Sequence, residues 1–220
     1  VINIVYTAGV ALVQKDMKKV IAYSSVSHMG FVLLGLVAMN PIGFNGAVFV
    51  MFAHGIVSAA LFMCVGTVYL RTHTRMIGDL GGLGAQTPTL FYFFLFFSMA
   101  SLGLPLLISF ASESLVFYGA FTANTFTNVI NVFGLGNIIW NMQTVSILSA
   151  IGVIIGAAYL LWLVMRVFHG NMPERWLSLK DASLSEVFVL GTLACLTISY
   201  GLFPRLITDR FEPVVTAMAS

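Results

Sequence analysis

The feature that most constrains this chain is a series of apolar runs with very few charges, most of them about 20 residues or longer, the length of a helix that crosses a hydrocarbon core. They cover about residues 17–39, 46–70, 89–121, 144–168 and 186–203, after an apolar opening over 1–14. Only 8% of the residues are charged and 59% are hydrophobic, with a mean hydropathy of +0.99. A water-facing surface needs roughly a quarter charged residues, so a soluble domain is excluded. A transmembrane β-barrel would show short alternating strands, and the sequence has none. The fold class is therefore all-α: a polytopic transmembrane helix bundle of about six helices, one partial and one broken.

The opening VINIVYTAGVALV has no initiator Met, no basic n-region and no small-residue cleavage site, so it does not read as a signal peptide. It reads as the second half of a helix, and the expectation is a C-terminal fragment of a longer polypeptide. The stretch 89–121 is too long for one span at about 1.5 Å per residue, and it contains Gly103 and Pro105. Proline removes a backbone bond and clashes with the preceding turn, which predicts a broken helix. Residues 122–143 form a polar, uncharged interfacial loop, with Phe126, Phe133 and Trp140 suited to the membrane–water boundary. Residues 144–220 supply two further helices and a charged tail from Pro204. Cys64 and Cys195 lie in apolar runs without metal-ligand spacing and read as small packing residues. The net charge of +2 is too small to suggest a nucleic-acid partner.

Charge supports the helix count. If residues 15–19 define face X, alternation places 71–87 and 166–185 on X, and 40–45, 122–143 and 204–220 on the opposite face Y. Face X then holds Lys15, Lys18, Lys19, Arg71, Arg75, Arg166, Arg175 and Lys180, against Arg205 and Arg210 on Y. By the positive-inside rule X is the cytoplasmic or stromal face, and the C-terminal tail lies on the periplasmic or lumenal side. The loop side chains Arg71, His73, Arg75 and Asp79 read as topological anchors or as contacts to neighbouring subunits.

Few titratable residues fall inside the spans: His28, His54 and Glu113. A charged group at mid-membrane costs about 2.5–3.5 kcal/mol on insertion scales, so such residues face a bundle interior or a water path. His28 lies roughly 16 Å into its helix, and Glu113 follows the break, roughly 12 Å below the Y surface. Each histidine is either a neutral interhelical hydrogen-bond partner or part of a proton path. Ser24, Ser25 and Ser27 either bond back to their own helix or hold water beside the imidazole. Glu113 is the strongest relay candidate, a carboxyl able to hold or lose a proton beside a helix break.

The segments QKDMKKVIAYSSVSHMGFVLLG, AHGIVSAALF, YLRTHTRMIGDLGGLG and SMASLGLP, with Glu113 following, carry a resemblance. They are similar to the chain 4 (M-type) antiporter-like membrane subunits of complex I-type NAD(P)H–quinone oxidoreductases. The wording is nearest the cyanobacterial and chloroplast form, the D subunit of the photosynthetic enzyme. The resemblance implies a fourteen-helix fold with two inverted five-helix repeats. Residues 17–121 would then belong to the second repeat, with 89–121 as its broken helix. It implies a hydrophilic axis through His28 and His54 to Glu113. That family usually writes LPG with a second glycine, and a glycine before the glutamate; here Leu106 and Ser112 stand there. The loss of those glycines implies a stiffer or tighter hinge and a diverged paralogue, such as the form in CO2-uptake complexes.

The expected function is proton translocation along this buried axis, coupled to quinone or plastoquinone reduction in partner subunits and released toward face Y. In that sequence of steps His54 bridges His28 and Glu113. This chain offers no flavin, iron–sulfur or dinucleotide motif, so NAD(P)H or ferredoxin, iron–sulfur clusters and quinone belong to the partners. Those partners are the other membrane-arm subunits, with lipid around them, in a bacterial inner or cyanobacterial thylakoid membrane. The alternatives are a cation/proton antiporter subunit and a packing wall without transport.

Overall fold

A computed structural model describes residues 1–123, 127–131 and 137–219, with side chains left out at 127–131, 137–140 and 216–219. The helices are α1 (Ile2–Leu12), α2 (Met17–Val37), α3 (Pro41–Thr72), α4 (Pro88–Ser101), α5 (Ile108–Thr122), α6 (Met142–Phe168), α7 (Leu184–Leu202) and α8 (Arg205–Ala219). Four of them, α2, α3, α6 and α7, are long and apolar enough to cross a membrane. The expected broken helix is the pair α4 and α5, separated at residues 102–107. Within the loop expected over 122–143, β1 (Thr127–Asn131) and β2 (Asn137–Asn141) pair antiparallel. Phe126 and Phe133 lie outside the described residues, as does the side chain of Trp140.

Local chemistry sets the helix starts. Asp16 caps α2 by accepting from the Lys18 amide at 2.8 Å, and Asn40 caps α3 from Gly43 at 2.7 Å, with Pro41 in the first turn. Asn141 caps α6 through Thr144 at 2.7 Å. Helix α4 has no such residue of its own. Its first-turn amides at Thr89 and Leu90 donate instead to Asp181, at 2.9 and 3.2 Å, from the loop before α7. Burial pushes the Asp181 carboxyl up, but these bonds and one from the Ala182 amide outweigh it and hold it below the usual carboxylate range.

Helices α2, α3 and α5 form the centre. Their backbones approach closely where Gly43 of α3 sits between Gly35 of α2 and Gly119 of α5. A Cβ on Gly35 would lie 2.6 Å from the Gly43 carbonyl oxygen, and one on Gly119 would lie 2.6 Å from the Gly43 Cα. Small residues permit such approach where lipid provides no hydrophobic drive between helices. Helices α1 and α6 pack on α2, while α7 and α8 lie against α3.

The segments assigned to face X meet one another at one end of the bundle. Met17 N donates to Arg75 O at 3.0 Å, Ile77 N to Lys15 O at 2.8 Å, and Gly82 N to His169 O at 3.0 Å. At the other end, the Asn40 side chain donates to Gly119 O at 2.7 Å. The polar X-side loop finds its partners within the chain. All five Arg71 N–H donors are used, on Thr67 O, Lys180 O, Asp181 O and both Glu186 oxygens, the shortest at 2.7 Å. Arg75 lies 3.7 Å from Asp16, and His73 closes α3 with a left-handed φ of +53°.

Two expectations change. Cys64 is buried as expected, but Cys195 is exposed on α7. The charged tail is helical: α8 buries Ile207 and Val215 while Asp209, Arg210 and Glu212 face outward. Its charges mask an apolar face too narrow to stand out in a hydropathy reading.

Candidate functional site

His28, at the middle of α2, meets both halves of the broken helix. Its Nδ1 lies 3.3 Å from Oε1 of Glu113 on α5, and its Nε2 lies 3.2 Å from the Ser101 hydroxyl at the end of α4. With the ring proton on Nδ1, the imidazole donates to the carboxylate and accepts from the serine on Nε2; the other tautomer reverses both bonds and requires Glu113 to donate as the neutral acid. Glu113 and Ser101 are each 7% exposed, so this pairing sits in the protein interior. The second carboxylate oxygen faces the break, where a Cβ on Gly103 (φ +72°) would lie 3.3 Å from Oε2.

His54 of α3 lies beside His28, with ring centroids 5.5 Å apart. This corrects the expected order. Helix α5 packs against both α2 and α3, so Glu113 reaches His28 directly and needs no bridge through His54. Two cavities, each with room for about one water molecule, flank the pair. One opens between His28, Glu113, Ser27 and Tyr159. The other joins His28 and Glu113 to His54, Ser109 and Ser112.

The serines of α2 do not touch the imidazole. Ser24 and Ser25 donate to Ile21 O at 2.7 and 3.0 Å, and Ser27 donates to Ile4 O of α1 at 2.8 Å. Of the three, Ser27 lines the first cavity. The residue that bonds the ring is Ser101, which the sequence reading did not single out. The available signal was its place at the end of a half-helix, in SMASLGLP, immediately before the break.

Pro105 forms the break itself. Leu107 N donates to Leu104 O at 3.1 Å across Pro105 and Leu106, and Leu106 has φ +76°. Proline second and a positive φ third are the signature of a type II turn, which favours glycine at the third position. Leucine occupies it here. Helix α7 presses on the same turn: a Cβ on Gly201 would come within 2.6 Å of the Leu107 carbonyl carbon. Among the described residues, no group of three or more His, Cys, Asp or Glu side chains is arranged to hold a metal ion.

Chemically, the His28–Glu113 contact can hold one proton on either partner, as neutral imidazole with a carboxylic acid or as imidazolium with a carboxylate. Two water-sized cavities adjoin the pair.

The chain is similar to proteins of known assemblies. Residues 1–139 match the family described as "NADH:quinone oxidoreductase/Mrp antiporter, TM". It is 42% identical to NADH-quinone oxidoreductase subunit M of Rhodobacter capsulatus over 97% of this chain and 38% of that protein. It is 40% identical to NAD(P)H-quinone oxidoreductase chain 4 1 of Synechococcus elongatus over 100% of this chain and 39% of that one. The chain thus spans about two fifths of the length of these curated relatives. A chain of respiratory complex I from Thermus thermophilus superposes with a TM-score of 0.86 at 28% identity, covering 99% of this chain and 42% of that one. A chain of the Mrp complex from Dietzia sp. shares the fold, with a TM-score of 0.83 at 17% identity, covering 99% of this chain and 46% of that one. By a match over residues 1–139 of its 220 and by these identities, the chain belongs to the NADH:quinone oxidoreductase/Mrp antiporter transmembrane family.

Proposed function

We propose that this chain is part of a proton-translocating membrane subunit of a complex I-type NAD(P)H– or ferredoxin–quinone oxidoreductase. The observation that carries the reading is the interior contact of Glu113 with His28, held at the break of a transmembrane helix and extended by Ser101 and His54. A buried acid and base in contact, flanked by water-sized cavities, suit proton transfer and have no packing rationale in an apolar bundle. The redox steps, with NAD(P)H or ferredoxin, iron–sulfur clusters and quinone, belong to partner subunits, and the other membrane-arm subunits and lipid surround this chain. Face X is the cytoplasmic or stromal side, and α8 lies on the periplasmic or lumenal side, toward which Glu113 releases its proton. Cyanobacterial relatives support a thylakoid, plastoquinone-linked setting. The 42% identity to a quinone oxidoreductase subunit favours this reading over a cation/proton antiporter, whose solved relative shares the fold alone.

The test is Glu113→Gln in the assembled complex, reconstituted in vesicles. The expected result is loss of proton translocation by this subunit, with assembly intact. A normal proton-to-electron stoichiometry would sink the assignment.

A further inference from the structure

Tyr159 of α6 is, among the described residues, the largest fully buried side chain, at 1% exposure, and the His28–Glu113 contact does not involve it. It lines the cavity that also touches His28 and Glu113. Gly156, one turn earlier on α6, leaves that space open. A Cβ there would sit 3.8 Å from the Tyr159 oxygen, an ordinary contact with no clash.

From this geometry we infer that Tyr159 is a positioning residue that anchors one water molecule in the cavity beside His28 and Glu113, and that Gly156 keeps its seat free. The inference rests on the relay reading and adds a branch to it toward α6. The cavity holds about one water, and its polar rim supplies the two to four partners a buried water requires. The water accepts from the protonated member of the His28–Glu113 pair and donates to the Tyr159 oxygen. Tyr159 thereby fixes the water's orientation without giving up its own proton.

Two variants test the hydroxyl and the space separately, and both favour folding. Tyr159→Phe keeps the ring. Gly156→Ala adds a methyl that meets only ordinary contacts and improves helix propensity. In the reconstituted complex, each is expected to insert and assemble at wild-type level. Each is also expected to slow proton translocation by about tenfold, the rate equivalent of one lost hydrogen bond. A high-resolution map should show one water density in the cavity of the wild-type protein and none in Gly156→Ala. Wild-type translocation in Tyr159→Phe, or an empty cavity in the wild-type map, overturns the inference. If Glu113→Gln abolishes translocation while both α6 variants pump normally, the relay reading stands and this branch alone falls. If Glu113→Gln pumps normally, the relay reading itself falls, whatever the α6 variants do.

Discussion

His28 is held at both ring nitrogens, and the two holders come from opposite sides of a helix break. That arrangement makes the tautomer of one imidazole depend on where α4 ends relative to α5. Removing the Ser101 hydroxyl leaves Nε2 without that partner, a cost of about 1–3 kcal/mol for a buried polar group. Ser101→Ala is therefore expected to slow translocation at least about tenfold, while the protein inserts normally. An unchanged rate would remove Ser101 from the relay. His28, His54 and Glu113 were legible as candidates because titratable groups in apolar runs have few other reasons to be there. Ser101 was not legible. Serines in helices commonly bond their own backbone, as Ser24 and Ser25 do here, and the partner of Ser101 lies 73 positions away in sequence. The position of His54 could not be read either, because sequence gives depth along a helix but not which face meets a third one.

At the scale of elements, the break is defined by Leu104–Leu107 and by what packs on it. A left-handed leucine costs about 1–2 kcal/mol, and glycine would give back roughly 0.5–1 through its freer unfolded chain. Leu106 is 66% exposed, so little packing is lost on truncation. Leu106→Gly is therefore expected to stabilise the protein by about 0.5–1 kcal/mol in detergent unfolding. A loss of stability would show that Leu106 is not held in this conformation. Pro105 made the break legible, but the strain at Leu106 and the pressure of Gly201 from α7 were not, since both arise from a distant helix. The start of α4 is equally non-local, capped by Asp181 across the X face. Asp181→Asn is expected to cost about 1 kcal/mol, the usual worth of a charged cap at a helix N-terminus. The Asp181 carboxyl is held below its unfolded value of 3.8, so its contribution is complete above that pH and is lost as pH falls through the lower folded value. Acid unfolding followed by tryptophan fluorescence should show the difference between the wild type and Asp181→Asn begin to shrink below about pH 3.8 and vanish only below the lower folded value.

For the whole molecule, hydropathy and the basic bias gave the alternation of spans, and the X-face hydrogen bonds join the segments that alternation placed together. The five-donor arrangement of Arg71 locks α7 to α3 at that face, so the site at the break is framed by helices fixed well away from it. The packing order, with α5 against both α3 and α2, lay beyond reach of the sequence because apolar helices of similar length carry no label for their neighbours. That order is what joins Glu113 to His28. The proposed function requires the proton on this pair to move between the two side chains and onward during turnover. Infrared difference spectroscopy of the working complex tests it directly, through the C=O stretch of a protonated carboxyl. A band that appears and disappears with turnover in the wild type and is missing in Glu113→Gln is the predicted result. A turnover spectrum in which the wild type and Glu113→Gln are identical would contradict it.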